Sequence, residues 1–273
     1  MKTLKNHTIL YDEVCPMCNV YTSAFVKTGM LDKEGREPYQ NMPSAWTNNI
    51  DCNRAVNEIA LINRNTGEVH YGIRSLFIII QNSFPVFKPL FRFKPFTWLM
   101  DKFYKFISYN RRVIMPSAKE MSGNLNDPSF NAKYRFAYLV FTWLITSYIL
   151  FNFTRLFQCV IPESNFYLEF LICGGQILWQ LLVVSFTNKN KAWDYLGTMM
   201  TISFAGGILL LLVIAFSKLV TLSPVVFAAC FLLVASLMLV EHVRRIKILQ
   251  LNSVLTLTWV LYRIILLIII FYV

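Results

Sequence analysis

The sequence has little charge and little histidine for its length. Charged residues make up 15% of the 273 positions, and three residues are histidine. Hydrophobic residues reach 56% and the mean hydropathy is +0.48, which excludes an ordinary soluble protein. A chain of this composition needs an apolar solvent for part of its surface, and we expect the lipid bilayer to supply it.

Several kinds of motif are also missing. Residues 1–10 contain no apolar run of signal-peptide length, so we expect the N-terminal region to be cytoplasmic. Six cysteines in a chain of this size do not form a disulfide framework. The basic residues are not accompanied by a basic helix or an aromatic sheet motif, and we expect no nucleic-acid partner.

The net charge of +11 is unevenly distributed along the chain. Residues 1–87 hold 8 basic and 8 acidic residues, residues 88–133 hold 9 and 3, and residues 134–273 hold 9 and 4. The excess of +6 and +5 therefore lies in and just before the apolar region. A basic segment at this place suits anionic headgroups and the cytoplasmic side of a membrane.

Five apolar spans follow, each near the ~20 residues that cross ~30 Å of hydrocarbon. They cover residues 136–153, 166–186, 195–216, 224–240 and 254–273. With the N-terminus inside, the inside loops hold Lys189, Lys191, Arg244, Arg245 and Lys247, and the outside loops hold Arg155 and Lys218. This bias predicts a multi-pass protein of the inner (cytoplasmic) membrane with a cytoplasmic N-terminal domain and the C-terminus outside. The pairs Gly174–Gly175 and Gly206–Gly207 predict close helix packing.

The N-terminal region alternates strand and helix patterns. Turn residues and apolar runs predict strands at 7–11, 36–42, 58–63 and 68–71 and helices at 16–28 and 72–82, with a hairpin turn at 64–67. This order is that of a small thioredoxin-like α/β domain. The predicted fold class is thus an α/β thioredoxin-like domain (1–115), a linker (116–133) and an all-α transmembrane bundle of about five spans (134–273).

Residues 84–107 interleave aromatic residues with Lys, Arg and Pro. Such a segment can lie in a lipid headgroup layer, with its rings inward and its amines outward. It can equally form a pair of helices that cover the sheet of the N-terminal domain. The sequence leaves both interpretations open.

Cys15-Pro16-Met17-Cys18 is the strongest motif, because two cysteines at this spacing close a disulfide within one helical turn. Cys15 would sit at the positive end of the helix, where free backbone amides lower a thiol pKa. Cys18 would resolve the mixed disulfide. Asp12 is either a proton acceptor near Cys18 or a turn residue. No cofactor and no metal is expected.

A zinc site is the alternative use of these cysteines, with Cys52 and His7 or His70 as further ligands. The absence of a second Cys-x-x-Cys or His pair disfavours it. Cys52 is expected to be a structural thiol.

The stretch from Tyr11 to Cys18 (YDEVCPMC) resembles the signature of the DCC family of thiol-disulfide oxidoreductases. Two later stretches are similar to the family pattern: 71–76 (YGIRSL), a glycine-containing entry to a helix, and Tyr104 to Asn110-Arg111. The resemblance covers residues 1–113 and implies a thioredoxin-like fold with Cys15 and Cys18 as the active pair and Asp12 as a signature residue. The sequence departs from the expected pattern twice: Glu13 stands where the family usually has Gly, and no Pro precedes the strand at 58, where thioredoxins place a cis-Pro against their substrate.

Within the apolar region, Cys159, Cys173 and Cys230 either pass electrons across the membrane or are small apolar residues. Arg263 lies mid-span and is expected to face the bundle and pair with a residue such as Glu169. His242 is expected to be a solvated loop residue.

These features predict a membrane-anchored thiol-disulfide oxidoreductase that acts on the cytoplasmic side. Its partners would be the lipid bilayer and a protein or low-molecular-weight thiol or disulfide, with a membrane complex left open. The alternative is a membrane scaffold, assembly factor or transporter subunit whose thioredoxin-like domain docks or senses redox state.

Overall fold

The computed structural model describes residues 1–117, 129–157 and 165–272. The chain divides into two compact units, Met1–Tyr134 and Arg135–Val273. We refer to the first as the sheet domain and to the second as the helical bundle. Most of the predicted linker lies outside the described residues. On its far side, Ser129 is held to the sheet domain because its backbone N–H and its hydroxyl donate to Asn57 Oδ1 at 2.8 and 2.9 Å.

The sheet domain contains four strands in the order β2-β1-β3-β4. The central strand β1 pairs in parallel with β2 and antiparallel with β3, and β3 pairs antiparallel with β4. The hairpin and all four strands were predicted, although β2 and β3 are shorter than expected. The bounds are β1 His7–Tyr11, β2 Arg36–Pro38, β3 Ala60–Asn63 and β4 Val69–Tyr71.

Both faces of β1 and β3 are covered, because successive side chains point to opposite sides of a strand. Ile9 and Leu61 pack on one side with residues of two long helices, and Leu10 and Ile62 pack on the other. Both long helices, at 16–27 and 73–83, were predicted, whereas two short helices on the other side of the sheet were not. The helices before residue 84 are α1 Pro16–Lys27, α2 Ser44–Thr47, α3 Cys52–Asn57 and α4 Ile73–Ser83.

The aromatic and basic segment after residue 84 forms α5, Lys88–Arg92, and α6, Lys94–Ile114. One side of α6 packs on the sheet domain. The hydroxyl of Tyr104 accepts the Ile59 N–H at 3.0 Å, and the hydroxyl of Ser108 donates to the Asn57 carbonyl at 2.6 Å. The interpretation in which helices cover the sheet is therefore confirmed for this side of α6.

The described residues of the helical bundle form five apolar helices. Four of them are long and apolar enough to cross a membrane by length and composition, which supports a multi-pass membrane protein. The fifth predicted span corresponds to α11, whose apolar stretch Val254–Ile269 is shorter. The orientation and the outside C-terminus stay predictions. The bounds are α7 Ala132–Thr154, α8 Phe166–Thr187, α9 Ala192–Ser217, α10 Pro224–Ile248 and α11 Val254–Tyr272.

The prediction for His242 was wrong. This residue is 1% exposed, and its Nε2 lies 3.3 Å from the Tyr195 hydroxyl and its Nδ1 3.1 Å from Thr256 Oγ1. Its ring stacks on Trp259 with 5.1 Å between the centroids. The prediction failed because α10 continues for eight residues past the predicted end of the span. In this extension Glu241 accepts hydrogen bonds from Arg244 and Arg245, so the sequence is polar there, but His242 still packs inside the bundle.

The glycine pairs allow close helix packing, as predicted. A Cβ at Gly174 would lie 3.1 Å from the Trp143 ring, and one at Gly206 would collide with Met238 Sδ. A Cβ at Gly207 would meet Ile149 at 3.5 Å, which is ordinary contact. The two neighbouring glycines of the second pair therefore differ in what they tolerate.

We expect Gly206→Ala to destabilise the bundle by about 1–3 kcal/mol, because the new methyl group overpacks against Met238. Gly207→Ala is the matched control and should be neutral or stabilising by up to ~1 kcal/mol, since alanine has the higher helix propensity. Thermal unfolding of the full-length protein in detergent measures both. Equal effects of the two substitutions would contradict the packing described.

Candidate functional site

The two cysteines of the motif lie at the start of α1, directly after β1. Cys15 is the N-terminal cap of the helix, and its Sγ accepts the Cys18 N–H at 3.4 Å. Pro16 occupies the first helical turn, where the missing N–H needs no partner. Both cysteines are free thiols that are nearly buried, 5% exposed for Cys15 and 3% for Cys18.

Asp12 lies next to them at the end of β1 and is 5% exposed. Its Oδ1 accepts the Val14 N–H at 3.1 Å and the side-chain amide of Gln40 at 3.0 Å. Its Oδ2 accepts from Arg111 Nη2 at 2.9 Å. Asp12 is thus a turn residue that also forms a buried ion pair, and a role in proton transfer stays a prediction.

Arg111 brings a second charge to the site from α6, and it is 4% exposed. Besides Asp12, its guanidinium donates to the carbonyls of Val56 at 2.9 Å and Asn57 at 3.2 Å, and to Ser108 Oγ at 3.4 Å. Burying a charge is costly unless it is paired and hydrogen-bonded. These contacts fix the cation beside the thiol pair.

The two thiols differ in acidity. The pKa of Cys15 is lowered to about 7, first by the hydrogen bond from the Cys18 thiol and then by the charge of Arg111, against the opposing effect of burial. The pKa of Cys18 is raised far above its ordinary value, first by that same hydrogen bond and then by burial. Because the thiolate is the reactive form, this asymmetry favours Cys15 as the nucleophile.

Two partly buried tyrosines complete the surroundings of the thiols. Tyr21, one turn after Cys18, forms a hydrogen bond with it, and burial raises the pKa of the Tyr21 phenol well above its ordinary value. Burial likewise raises the pKa of Tyr104, whose hydroxyl binds the backbone before β3. Both phenols therefore stay protonated at neutral pH and add no negative charge beside the thiols.

Gly72 connects the later stretches of the sequence resemblance to this site. It has a φ of +63°, which favours glycine. A Cβ there would lie 2.9 Å from Glu58 Oε2 and 3.3 Å from the Tyr104 ring. Residues from all three quoted stretches thus converge: Asp12 and the cysteines, Gly72, and Tyr104 with Arg111.

The structure brings all three predicted site residues together and adds others that the sequence did not assign. Cys15, Cys18 and Asp12 are neighbours as expected. The role of Arg111 and Gln40 as partners of Asp12 was missed, since neither is local to it. The spacing of Tyr104, Ser108 and Arg111 on one side of a helix was the signal that could have indicated a buried position for Arg111.

The remaining cysteines do not join this site in the described part of the chain. Cys52 is exposed, and its thiol lies 3.8 Å from the Ile50 carbonyl. Cys173 is buried and Cys230 half-buried in the bundle, while Cys159 lies outside the described residues. Within the described ranges no three His, Cys, Asp or Glu side chains form a metal-binding group, so the zinc alternative has no ligand set there.

Arg263 lies in α11 with its guanidinium 5.8 Å from the centre of the Trp259 ring. This is a cation–π distance. The ion pair expected with Glu169 stays a prediction.

We expect alkylation of Cys15 by iodoacetamide to rise through pH 7 and to level off above it, because the thiolate with a pKa of about 7 is the reacting form. Peptide mass spectrometry of the full-length protein measures this profile. In Cys18→Ala the profile should shift to higher pH, because the thiolate loses its strongest donor. Exposed Cys52 controls for reagent access, and a Cys15 profile unchanged by Cys18→Ala would contradict the hydrogen bond.

Asp12→Asn should destabilise the sheet domain by about 3–5 kcal/mol, because it leaves Arg111 as a buried and unpaired charge. Asp32→Asn is the matched control, since Asp32 forms a half-exposed ion pair with Arg64 at 3.2 Å whose loss should cost less than about 1 kcal/mol. Pulse proteolysis of the full-length protein in urea measures both. Similar losses for the two variants would show that burial does not strengthen the Asp12 pair.

No family model matches the chain, and neither a curated protein nor a solved structure matches it. The resemblance to the DCC family therefore stays a prediction that rests on the residues quoted above.

Proposed function

We propose that the protein is a membrane-anchored thiol-disulfide oxidoreductase whose active pair is Cys15 and Cys18. The observation that carries this proposal is the asymmetry of the pair at a helix start. One thiol has its pKa lowered to about 7 and the other has it raised, beside a fixed cation. A structural pair of cysteines needs no such difference, whereas a nucleophile and a resolving thiol do.

The sheet domain supports a thioredoxin-like fold within this proposal. Its strand order β2-β1-β3-β4, with one parallel and two antiparallel pairings, and a Cys-x-x-Cys at the first strand-to-helix turn are compatible with that fold. In thioredoxins a proline before this strand lines the substrate groove. Here the backbone before β3 contacts α6 instead: the Ile59 N–H donates to the Tyr104 hydroxyl, and the Val56 carbonyl accepts from Arg111.

The proposed reaction is a two-electron exchange. The Cys15 thiolate attacks one sulfur of a substrate disulfide, forms a mixed disulfide and releases the other sulfur as a thiolate. Cys18 then loses its proton to the released thiolate and attacks Cys15 Sγ. An internal disulfide forms, the second substrate thiol leaves, and two electrons have passed from the Cys15–Cys18 dithiol to the substrate. The reverse sequence oxidises a dithiol substrate.

The polar groups of the site would act on the attacking thiolate. The Cys18 N–H and thiol donate to Cys15 Sγ, and Arg111 stabilises its negative charge. Asp12 would hold Arg111 in position through the 2.9 Å ion pair. In this role Asp12 is a positioning residue.

The proposed location is the inner membrane with the sheet domain in the cytoplasm. The support is the loop charge bias, since Lys189 and Lys191 lie between α8 and α9, and Arg244, Arg245 and Lys247 lie at the end of α10. A reducing compartment would supply low-molecular-weight thiols as one partner of the exchange.

Capture of mixed disulfides tests the proposal. Cys18→Ala should accumulate covalent adducts of Cys15 with its partner in cells, because the resolving thiol is missing. The double variant Cys15→Ala/Cys18→Ala should accumulate none, and Cys52→Ser should behave like the parent protein. A scaffold or sensor domain that performs no exchange would give no adducts in any variant.

Titration in glutathione buffers of graded potential provides a second test. The full-length protein should show one reversible two-electron transition between dithiol and disulfide at Cys15 and Cys18, measured by trapping with a thiol reagent and mass spectrometry. The absence of a reversible transition would overturn the proposed function.

A further inference from the structure

The outer side of the segment 84–103 is an apolar surface that the sheet domain does not cover. We call it the aromatic face. Its members are between 37% and 77% exposed, and they comprise Phe84, Val86, Phe87, Leu90, Phe93, Trp98, Leu99 and Phe103. Large apolar side chains left exposed together in one segment mark an interaction site.

The aromatic face is held on a packed support. Phe91 stacks on Phe77 with 4.1 Å between ring centroids, and Phe96 stacks on both at 6.1 and 6.3 Å. Further along α6, Tyr104 and Ser108 bind the backbone of the sheet domain. The inner residues of the segment therefore already have their partners, and the outer ones are presented by a fixed helix pair.

The charge around the aromatic face is strongly positive. Five basic residues and one acidic residue lie in 84–105, whereas residues 1–87 are balanced at 8 and 8. Asp101 is paired with Lys105 at 2.9 Å. The four exposed basic residues are Lys88, Arg92, Lys94 and Lys102.

Basic and aromatic residues also alternate on the same strip of α6. Lys94, Trp98 and Lys102 are four residues apart, so they lie on one side of the helix. Lys102 Nζ lies 6.0 Å from the centre of the Trp98 ring. Rings with amines at their margin suit the boundary between acyl chains and phosphates, because lysine stems extend along apolar surface and place the amine in water.

We propose that the aromatic face binds the surface of an anionic bilayer, with its rings in the headgroup layer and Lys88, Arg92, Lys94 and Lys102 on lipid phosphates. The same chain carries four helices apolar enough to cross a bilayer, so this segment is covalently linked to helices that would anchor it at a membrane. Charge complementarity favours an anionic bilayer as the partner of this surface, because lipid phosphates match the four basic residues around the aromatic face, which we call the basic rim. The inference does not depend on the proposed redox function.

A fluorescent probe on the aromatic face tests this proposal. The full-length protein, with its six cysteines replaced by alanine, receives one new cysteine by Phe103→Cys and is labelled with the environment-sensitive dye NBD. In vesicles of phosphatidylcholine and phosphatidylglycerol its emission should shift to the blue and be quenched by spin-labelled lipid. In phosphatidylcholine alone, or in high salt, the shift should decrease. Val20→Cys, at a residue 64% exposed on α1, is the control position and should stay water-like.

Reversal of the rim charges separates lipid binding from other causes. Replacing Lys88, Arg92, Lys94 and Lys102 by glutamate should abolish the shift, whereas the same change at the exposed residues Lys2, Lys5, Lys27 and Lys33 should retain most of it. Equal loss in both variants would show a net-charge effect and overturn the proposal. A probe that is water-like in both lipids, or blue-shifted in both without quenching by spin-labelled lipid, would also overturn it, the latter by indicating coverage by protein.

Discussion

The buried ion pair between Asp12 and Arg111 is the interaction on which the sheet domain and its thiol pair both depend. It joins the end of β1 to α6 across 99 positions of sequence. Neither charge is tolerable alone at this burial, because each would have to leave water without compensation. Arg111 also binds the carbonyls that precede β3, so one side chain fixes the entry to the central hairpin and the electrostatic field at Cys15.

The helix that carries Arg111 has two sides with different surroundings. Tyr104, Ser108 and Arg111 meet the sheet domain, while Trp98 and Phe103 face outward with basic neighbours. This explains why the sequence supported two interpretations of the segment. A helix with one side packed on a folded domain and an exposed aromatic and basic side carries the pattern of both interpretations. The cation beside the thiols thus lies on the same helix as two of the basic residues in the proposed lipid contact, Lys94 and Lys102.

The sequence predicted those parts of the fold that depend on local signals. The apolar run of β1, the proline at the start of α1 and the hairpin turn are each complete within a few residues. The short helix α3 was missed because its main signal is the Asp51 cap, and β2 ends early at Pro38, which has no N–H for a ladder. The partner of Asp12 was beyond reach, since Arg111 is paired through tertiary contact and not through spacing. His242 was misassigned because the apolar pattern of the sequence ends at residue 240, whereas α10 continues beyond it and still has a side that packs inside the bundle.

His242 also belongs to a chain of polar contacts that crosses the bundle. Gln180 accepts from Tyr195 at 2.8 Å and donates to Thr258 at 3.3 Å, and His242 lies between Tyr195 and Thr256. These residues come from α8, α9, α10 and α11. Because these groups are enclosed between helices and have no water to replace their hydrogen bonds, sliding one helix would leave several partners unpaired at once. These four helices should therefore move as one body and not slide past one another.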